Sequence, residues 1–220
     1  MSPSAIRSQI CFASSISFFA AAGVAVLAHH LREPFDVVYW HAGGGPASLG
    51  GLLSRFAGAR VIAAASSEDK LALCRQLGAD ETINYTTEDL RKRTLALTGE
   101  KGVDVVYDPV GGGYTESALR AMAWRGRLLI VGFAAGEIPK IPLNLALLKE
   151  RQLLGVYWGD SVRQDPRGHV KNMKQLMAWF AERKIKPVVS ERFPLARAPE
   201  AIQRLLDRQV MGKVVILPEA

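Results

Sequence analysis

The sequence contains few cysteines and no pattern of metal ligands. Cys11 and Cys74 are its two cysteines, and neither a Cys-x-x-Cys pair nor a histidine cluster at metal-ligand spacing is present. Metal ligands recur at short, fixed spacings, and a disulfide framework needs several paired cysteines. We therefore predict no metal site and no disulfide framework.

Runs of like charge are almost absent as well. The formal net charge of +7 comes from 28 basic and 21 acidic residues, and Arg91–Arg93 is the only tight basic run. A surface that binds nucleic acid concentrates its basic residues in one patch. We expect no nucleic-acid partner, and RNA binding through a basic surface remains an alternative with little support.

Charge is missing altogether from one apolar stretch near the amino terminus. The stretch from Ile10 to Ala28 follows Arg7, which is an order typical of a signal peptide or a membrane anchor. Four serines in and beside this stretch weaken the membrane interpretation, and residues 20–27 fit a buried helix equally well. We treat residues 1–35 as a leader, favour a buried helix or poor order there, and expect no association with a membrane.

Residues 36–67 contain a strand, a glycine cluster, a helix and a second strand in succession. The cluster is Gly43, Gly44 and Gly45, and the following helix carries an apolar stripe. In a dinucleotide-binding fold this order brings glycine backbone and a helix N-terminus against a pyrophosphate. We predict a pyrophosphate site at the three glycines. Since Pro46 removes one N–H, a tight turn without a ligand remains open.

The alternation of strands and helices continues along the chain. This order predicts an α/β fold with a doubly wound parallel sheet of the Rossmann type and right-handed crossovers. The predicted strands are Val37–Trp40, Arg60–Ala65, Thr82–Tyr85, Val103–Tyr107, Arg127–Val131, Leu153–Trp158, Val188–Phe193 and Val214–Leu217. One predicted helix is capped by Ser67 and runs to Leu77, a second opens with Thr87 and Asp89 and runs to about Leu97, and a third ends at Ala123. Two more cover Leu145–Lys149 and Pro166–Arg183, the last with Val170, Met173, Leu176, Met177 and Phe180 inward. A final helix has Ile202, Leu205 and Leu206 on one face.

The end of the second strand predicts the type of nicotinamide cofactor. A carboxylate that follows this strand usually binds the ribose 2′-hydroxyl of NAD, but here the residues are Ala65, Ser66 and Ser67. Two hydroxyls and the ammonium of Lys70 suit a 2′-phosphate instead. The pattern favours NADP(H), although Lys70 on an exposed helix face is an ordinary alternative.

Several longer motifs resemble a known family. They are GARVIAAASSEDKLALCRQLGAD (58–80), INY (83–85), GVDVVYDPVGG (102–112), GRLLIVGFAAGEIPKIPLNLALLK (126–149), GVYWG (155–159) and GKVVIL (212–217). In this order they resemble the NADPH:quinone oxidoreductases, the zeta-crystallin-like, zinc-independent branch of the medium-chain dehydrogenase/reductase superfamily. The resemblance is close from Gly58 to Pro218 and partial from Val37 to Ala57.

The resemblance implies NADPH in a Rossmann domain and a set of binding residues. One group of residues would hold the 2′-phosphate, and two backbone segments would run alongside the ribose and the nicotinamide. The first group is Ser66, Lys70 and Tyr85; the segments include Asp108, Val110, Gly132, Phe133 and Ala134. No catalytic side chain is assigned. For Tyr157 and Trp158 we favour core packing over contact with a substrate.

The resemblance also implies an N-terminal domain that this sequence does not match. Members begin with a GroES-like β domain of roughly 120 residues that closes over the nicotinamide. The last two predicted strands belong to that sheet in the family, so we expect them to lose their partners there. Their edges and apolar faces would then pair with the leader, with another chain or with nothing. We divide the chain into a leader (1–35), an NADP-binding Rossmann domain (36–160) and C-terminal helices and strands (161–220).

These features together predict a truncated NADPH:quinone oxidoreductase with weak or no activity. It would transfer hydride to a quinone or another small acceptor with an activated double bond. The alternative is a non-catalytic module that binds NADP or dimerises. We expect a cytoplasmic homodimer that associates through the sheet edge of the fifth and sixth strands.

Overall fold

The computed structural model describes residues 36–41, 58–207 and 209–218. The predicted leader, the glycine cluster Gly43–Gly45 and the helix after it lie outside these ranges. The strands are β1 (Asp36–His41), β2 (Arg60–Ala65), β3 (Glu81–Asn84), β4 (Val103–Asp108), β5 (Met122–Ile130), β6 (Gln152–Gly155), β7 (Val189–Pro194) and β8 (Lys213–Leu217). The helices are α1 (Glu68–Gln76), α2 (Leu90–Leu97), α3 (Tyr114–Arg120), α4 (Asn144–Leu147), α5 (Trp158–Gln164), α6 (Pro166–Ala181) and α7 (Ala198–Leu206), with a 3₁₀ turn at Leu195–Arg197.

Strands β1 to β6 form one parallel sheet. Their order is β3-β2-β1-β4-β5-β6, so the winding direction reverses between β1 and β4. Val38 of β1 lies opposite Ile62 of β2 on one side and Val106 of β4 on the other. This order is that of a doubly wound dinucleotide-binding sheet, which confirms the predicted fold class.

The sheet is buried on both faces because its central strands are apolar at successive positions. Ile62, Val106 and Leu128 lie in one core cluster, which also contains buried residues of α2, α3 and α4. Val61, Val105 and Leu129 lie in a second cluster with Cys74 of α1. Alternate residues of each strand therefore supply opposite layers, as a period of two requires.

The amino ends of two helices differ in how they are capped. Asp89 precedes α2, and its carboxylate accepts the N–H of Lys92 at 2.9 Å. Ser67 precedes α1 as predicted, but its side chain makes no capping hydrogen bond. Glu68 and Asp69 place negative charge in the first turn of α1 instead, which favours the positive end of the helix dipole.

The predicted boundary between α3 and β5 is wrong. The helix ends at Arg120 rather than Ala123, and the strand begins at Met122 rather than Arg127. Val103 pairs with Met122, and its N–H donates to the Ala121 carbonyl at 3.1 Å. Pairing with β4 therefore overrides the helical preference of this segment.

The predicted sixth strand is too long. β6 ends at Gly155, and Trp158 begins α5. Trp158 is 8% exposed and packs its ring edge-on against His169, with centroids 5.0 Å apart, which confirms core packing for this residue. Tyr157 is 71% exposed, so the prediction of core packing is wrong there.

Strands β7 and β8 pair with each other, contrary to the expectation that they would lack partners. They form a parallel two-stranded sheet in which Arg192 lies opposite Val215. Between them α7 is held to β7 by Arg204, whose Nε and Nη2 each donate to the Glu191 carboxylate at 2.9 Å.

The apolar faces predicted for α6 and α7 are largely exposed. Among their members Leu176 is buried at 4% exposure. Six other members have 49–69% of their surface exposed to solvent: Val170, Met177 and Phe180 of α6, and Ile202, Leu205 and Leu206 of α7. The inward orientation predicted for Val170, Met177 and Phe180 of α6 is wrong, because helical periodicity identifies an apolar stripe but not the surface that covers it.

One arginine connects the end of α3 to the region before β6. Arg151 is 8% exposed, and its guanidinium donates to the carbonyls of Leu145 at 3.2 Å and Arg120 at 3.3 Å, and also to that of Met122. These carbonyls belong to two segments that are distant in sequence, at 120–122 and at Leu145, so a single side chain stabilises the early start of β5.

We expect Arg151→Met to lower the free energy of unfolding by about 1–3 kcal/mol, because buried carbonyls lose their donor. Arg163→Met is the control, since Arg163 makes an exposed ion pair with Asp160 and should change stability by less than about 1 kcal/mol. Urea unfolding measures both. Equal effects of the two substitutions would contradict the structural role of Arg151.

Candidate cofactor-binding site

The carboxyl ends of the parallel strands meet at one edge of the sheet. Loops leave this edge after β2, β3, β4 and β5, and the reversal of strand order between β1 and β4 lies in its middle. Ligands of open α/β sheets bind outside the carboxyl ends at such a reversal, because the loops on its two sides diverge and leave a crevice.

The first part of the site is a serine and a lysine one helical turn apart. Ser66 directly follows β2, and Lys70 lies in α1; both are half-buried. The Lys70 Nζ donates to Ser66 Oγ at 3.2 Å. Of the acidic residues in the same turn, Glu68 forms an ion pair with Arg75 further along the helix. An ammonium and a hydroxyl so placed can both donate to phosphate oxygens.

Strand pairing brings Tyr85 to this pair of residues. Ala65 of β2 lies opposite Asn84 of β3, and the Tyr85 N–H donates to the Ala65 carbonyl at 3.2 Å. Thr86 Oγ1 donates to the Ser66 carbonyl at 3.4 Å. The three residues predicted for the 2′-phosphate are therefore neighbours, although Tyr85 is far from Ser66 in sequence.

Tyr114, which the sequence analysis did not single out, extends this group. Its ring lies against that of Tyr85, with centroids 4.6 Å apart and an angle of 52° between the ring planes. Tyr114 begins α3, on the far side of the strand reversal from β3. No local pattern in the sequence predicts this contact, because it depends on the order of strands in the sheet.

Asp108 organises the second part of the site. It is 3% exposed, and its Oδ1 accepts the N–H groups of Val110 and Gly111, both at 2.9 Å. Its Oδ2 accepts the hydroxyl of Thr115 at 2.6 Å, and its carbonyl accepts the Val131 N–H at 2.9 Å. The carboxylate thus shapes the loop after β4 and links it to the end of β5.

The loops after β4 and β5 are joined through their backbones. The Ala134 N–H donates to the Pro109 carbonyl at 3.0 Å, and the Ala135 N–H donates to that of Val110 at 2.9 Å. A Cβ at Gly132 would lie 3.3 Å from the Pro109 carbonyl oxygen, so a side chain would crowd this approach. Gly132, Phe133 and Ala134 therefore lie beside the turn at Asp108.

Glycine is also required in the turn itself. Gly111 has φ +70°, and a Cβ there would lie 2.8 Å from Phe133 Cδ1. Side chains rarely adopt this backbone conformation. The turn therefore keeps its backbone close to Phe133, which is 40% exposed at the edge of the site.

Two buried groups near the sheet are unsuited to act as nucleophiles or bases. Burial raises the pKa of the Cys74 thiol to about 11 and raises the pKa of Tyr107 above its ordinary value. Tyr107 is 2% exposed, and its hydroxyl has no hydrogen-bond partner. Both groups are neutral near pH 7, so they contribute packing rather than charge.

The described residues provide neither a metal-ligand cluster nor a membrane-spanning helix. Within 36–41, 58–207 and 209–218, no three side chains of His, Cys, Asp or Glu are grouped as a metal ion would need. In the same part of the chain no helix has the length and apolarity that a membrane crossing requires.

Residues 48–182 match the family model described as zinc-binding dehydrogenase. The chain belongs to the zinc-binding dehydrogenase family. A curated member similar to it is the quinone oxidoreductase-like protein 2 homolog of Nematostella vectensis, at 36% identity over 215 residues. That match covers 92% of this chain and 59% of the relative, so the chain spans little more than half of the relative's length. The predicted resemblance to quinone oxidoreductases is confirmed.

Solved structures agree with the fold of this zinc-binding dehydrogenase family member. An NAD-dependent alcohol dehydrogenase has 36% identity and a TM-score of 0.78, over 91% of this chain and 56% of that one. A mycobacterial protein in complex with NADPH has 26% identity and a TM-score of 0.82, over 91% of this chain and 62% of that one. Both support a Rossmann cofactor domain with the strand order described above.

We expect Thr115→Val to destabilise the protein by about 1.5–3 kcal/mol, because the buried Asp108 carboxylate loses a hydroxyl donor. Thr115→Ser keeps the hydroxyl and should recover most of the loss. Thr87→Val is the control, since Thr87 is exposed. Thermal unfolding measures the three variants. A Ser variant as unstable as the Val variant would show that methyl packing, not the hydrogen bond, matters at this position.

Proposed function

We propose that this chain is the cofactor-binding part of an NADPH-dependent reductase of quinones or of similarly activated double bonds. The observation that carries the proposal is the cluster of Ser66, Lys70 and Tyr85 at the carboxyl end of the second strand. It combines a cation with hydroxyl groups at the position where the adenosine ribose lies in this type of fold.

The preference for NADPH over NADH rests on the chemistry of this cluster. A ribose 2′-hydroxyl is usually bound by a carboxylate after the second strand, whereas Ser66 stands there in this chain. A 2′-phosphate instead needs donors and positive charge, which Ser66 and Lys70 supply. The solved relative in complex with NADPH supports this preference. Another solved relative is named NAD-dependent, so the two cofactors must be compared directly by experiment.

The reactive half of the cofactor fits the second part of the site. Glycine at 111 and 132 lets the loops after β4 and β5 approach each other closely, and the ring of Phe133 beside them is exposed. NADPH supplies the hydride, and the protein's task is to hold the nicotinamide against the acceptor and exclude water. The quinone oxygens can take protons from water, so no buried acid is required.

We further propose that the 220-residue chain alone binds NADPH but reduces quinones slowly or not at all. Hydride transfer requires the acceptor to be held face to face with the nicotinamide. The match covers 59% of the Nematostella vectensis relative, so much of that protein's length has no counterpart in this chain. A non-catalytic NADP-binding module, in the cytoplasm as expected from the sequence, is the second candidate function.

We expect fluorescence titration to give a lower Kd for NADPH than for NADH. Lys70→Met should raise the Kd for NADPH by about 10- to 100-fold and leave that for NADH within about twofold, because a charge-assisted contact to phosphate is lost. Lys92→Met on exposed α2 is the matched control. Equal affinity of the unaltered chain for both cofactors would contradict the proposal, and rapid NADPH oxidation with benzoquinone would contradict slow turnover.

We also propose a homodimer through the free side of β6. This strand is the last of the six-stranded sheet, and Gly155 within it is exposed, with space around the position of a Cβ. An edge strand presents N–H and C=O groups that pair readily with a second strand. The Val156 N–H donates to the Ile130 carbonyl of β5 at 2.9 Å. Successive N–H groups of a strand alternate in direction, so that of Gly155 points away from β5.

We expect the chain of 24.0 kDa to sediment as a dimer. Gly155→Pro should shift it to the monomer, because proline removes a backbone donor at the interface. Gly155→Ala keeps the donor and should remain dimeric. Analytical ultracentrifugation compares the three proteins. A monomeric unaltered chain, or a dimer that survives Gly155→Pro, would exclude this edge.

A further inference from the structure

The contact between Tyr85 and Tyr114 joins the loop after β3 to the start of α3. Tyr85 follows β3 and Tyr114 follows β4, and the sheet order places β2 and β1 between these strands. Three strand spacings amount to about 14 Å, yet the two ring centroids are 4.6 Å apart. The two side chains therefore reach toward each other and span most of this distance.

The position of Tyr85 is tied to Ser66 through the backbone. Its N–H donates to the carbonyl of Ala65, the residue before Ser66, and the next residue donates its hydroxyl to the Ser66 carbonyl. The half-buried ring of Tyr85 packs against the core cluster that contains Ile83. These contacts hold the base of the side chain, and the ring of Tyr114 covers another part of it.

Tyr114 is itself held firmly by its neighbours in sequence. Thr115 donates to the buried Asp108 carboxylate at 2.6 Å, and Ala118 and Leu119 of α3 are at most 2% exposed. The ring of Tyr114 is 37% exposed, so it borders the open side of the site. A rigid turn thus presents an aromatic ring toward Tyr85.

We propose that Tyr114 is a positioning residue for the adenosine end of NADPH. It acts through Tyr85, which it holds beside Ser66 and Lys70, and so favours the cofactor that carries a 2′-phosphate. This inference rests on the proposed function of the same site. Tyr114 lies outside the group that the resemblance assigns to the phosphate, and its role follows from the ring contact alone.

The size of the effect follows from the energetics of aromatic pairs. Such pairs contribute a modest stabilisation beyond their buried area, which corresponds to about a two- to tenfold change in affinity. Loss of the ring pair should lower the affinity for NADPH by this factor. NADH lacks the 2′-phosphate, so its affinity should change by less than about twofold.

The experiment is a fluorescence titration of the full chain with NADPH and with NADH. Tyr114→Ala and Tyr114→Leu should raise the Kd for NADPH about two- to tenfold, whereas Tyr114→Phe, which keeps the ring, should match the unaltered chain. Phe180→Ala, which removes an exposed aromatic ring from α6, is the control. Melting temperatures confirm that each variant is folded. If Tyr114→Ala unfolds the protein, Tyr114→Leu, which retains apolar volume, provides the test.

A double-substitution cycle tests the route through Tyr85. If Tyr114 acts by holding Tyr85, Tyr114→Ala should have little further effect on NADPH affinity in a Tyr85→Ala background. Additive losses, or equal losses for NADPH and NADH, would overturn the inference while leaving the proposed function intact. An unaltered chain that does not prefer NADPH would overturn both.

Discussion

The buried carboxylate of Asp108 is the interaction on which the rest of the candidate site depends. With 3% exposure it accepts two backbone N–H groups of its own loop and the hydroxyl of Thr115. A buried carboxylate is costly unless it is hydrogen-bonded, so these three donors make the loop conformation and the buried charge mutually dependent. The main chain of the same residue receives the Val131 N–H, which attaches the loop after β5.

The consequences of this arrangement extend to both halves of the site. Thr115 holds the start of α3 and thereby places Tyr114 against Tyr85, beside the serine and lysine that follow β2. On the other side, the joined loops bring Gly132 close to Pro109 and leave the ring of Phe133 partly exposed. One carboxylate therefore positions the residues proposed for the adenosine half and those proposed for the nicotinamide half.

Much of the Rossmann core could be predicted because its strands are short, apolar and separated by clear turn residues. β2 matches its predicted bounds, and α2 begins after Asp89, close to the predicted start at Thr87 and Asp89. The predicted boundaries are wrong where contact with a residue distant in sequence determines the local structure. Met122 leaves the predicted helix because it pairs with Val103, and Arg151 bonds the carbonyls around it. Likewise, the apolar stripe of α7 was recognised, but periodicity does not say what lies opposite that stripe.

By itself the sequence determined the fold class, the family and the identity of Ser66, Lys70 and the turn at Asp108 as candidate site residues, because each is encoded in a local pattern or motif. Only the tertiary structure decided that Tyr85 lies beside Ser66, that Tyr114 meets Tyr85, and that β7 pairs with β8. These contacts join residues through strand order and register. The physical reason is that hydrogen bonds and ring contacts act over a few ångströms in space, whereas a sequence pattern reports only neighbours along the chain.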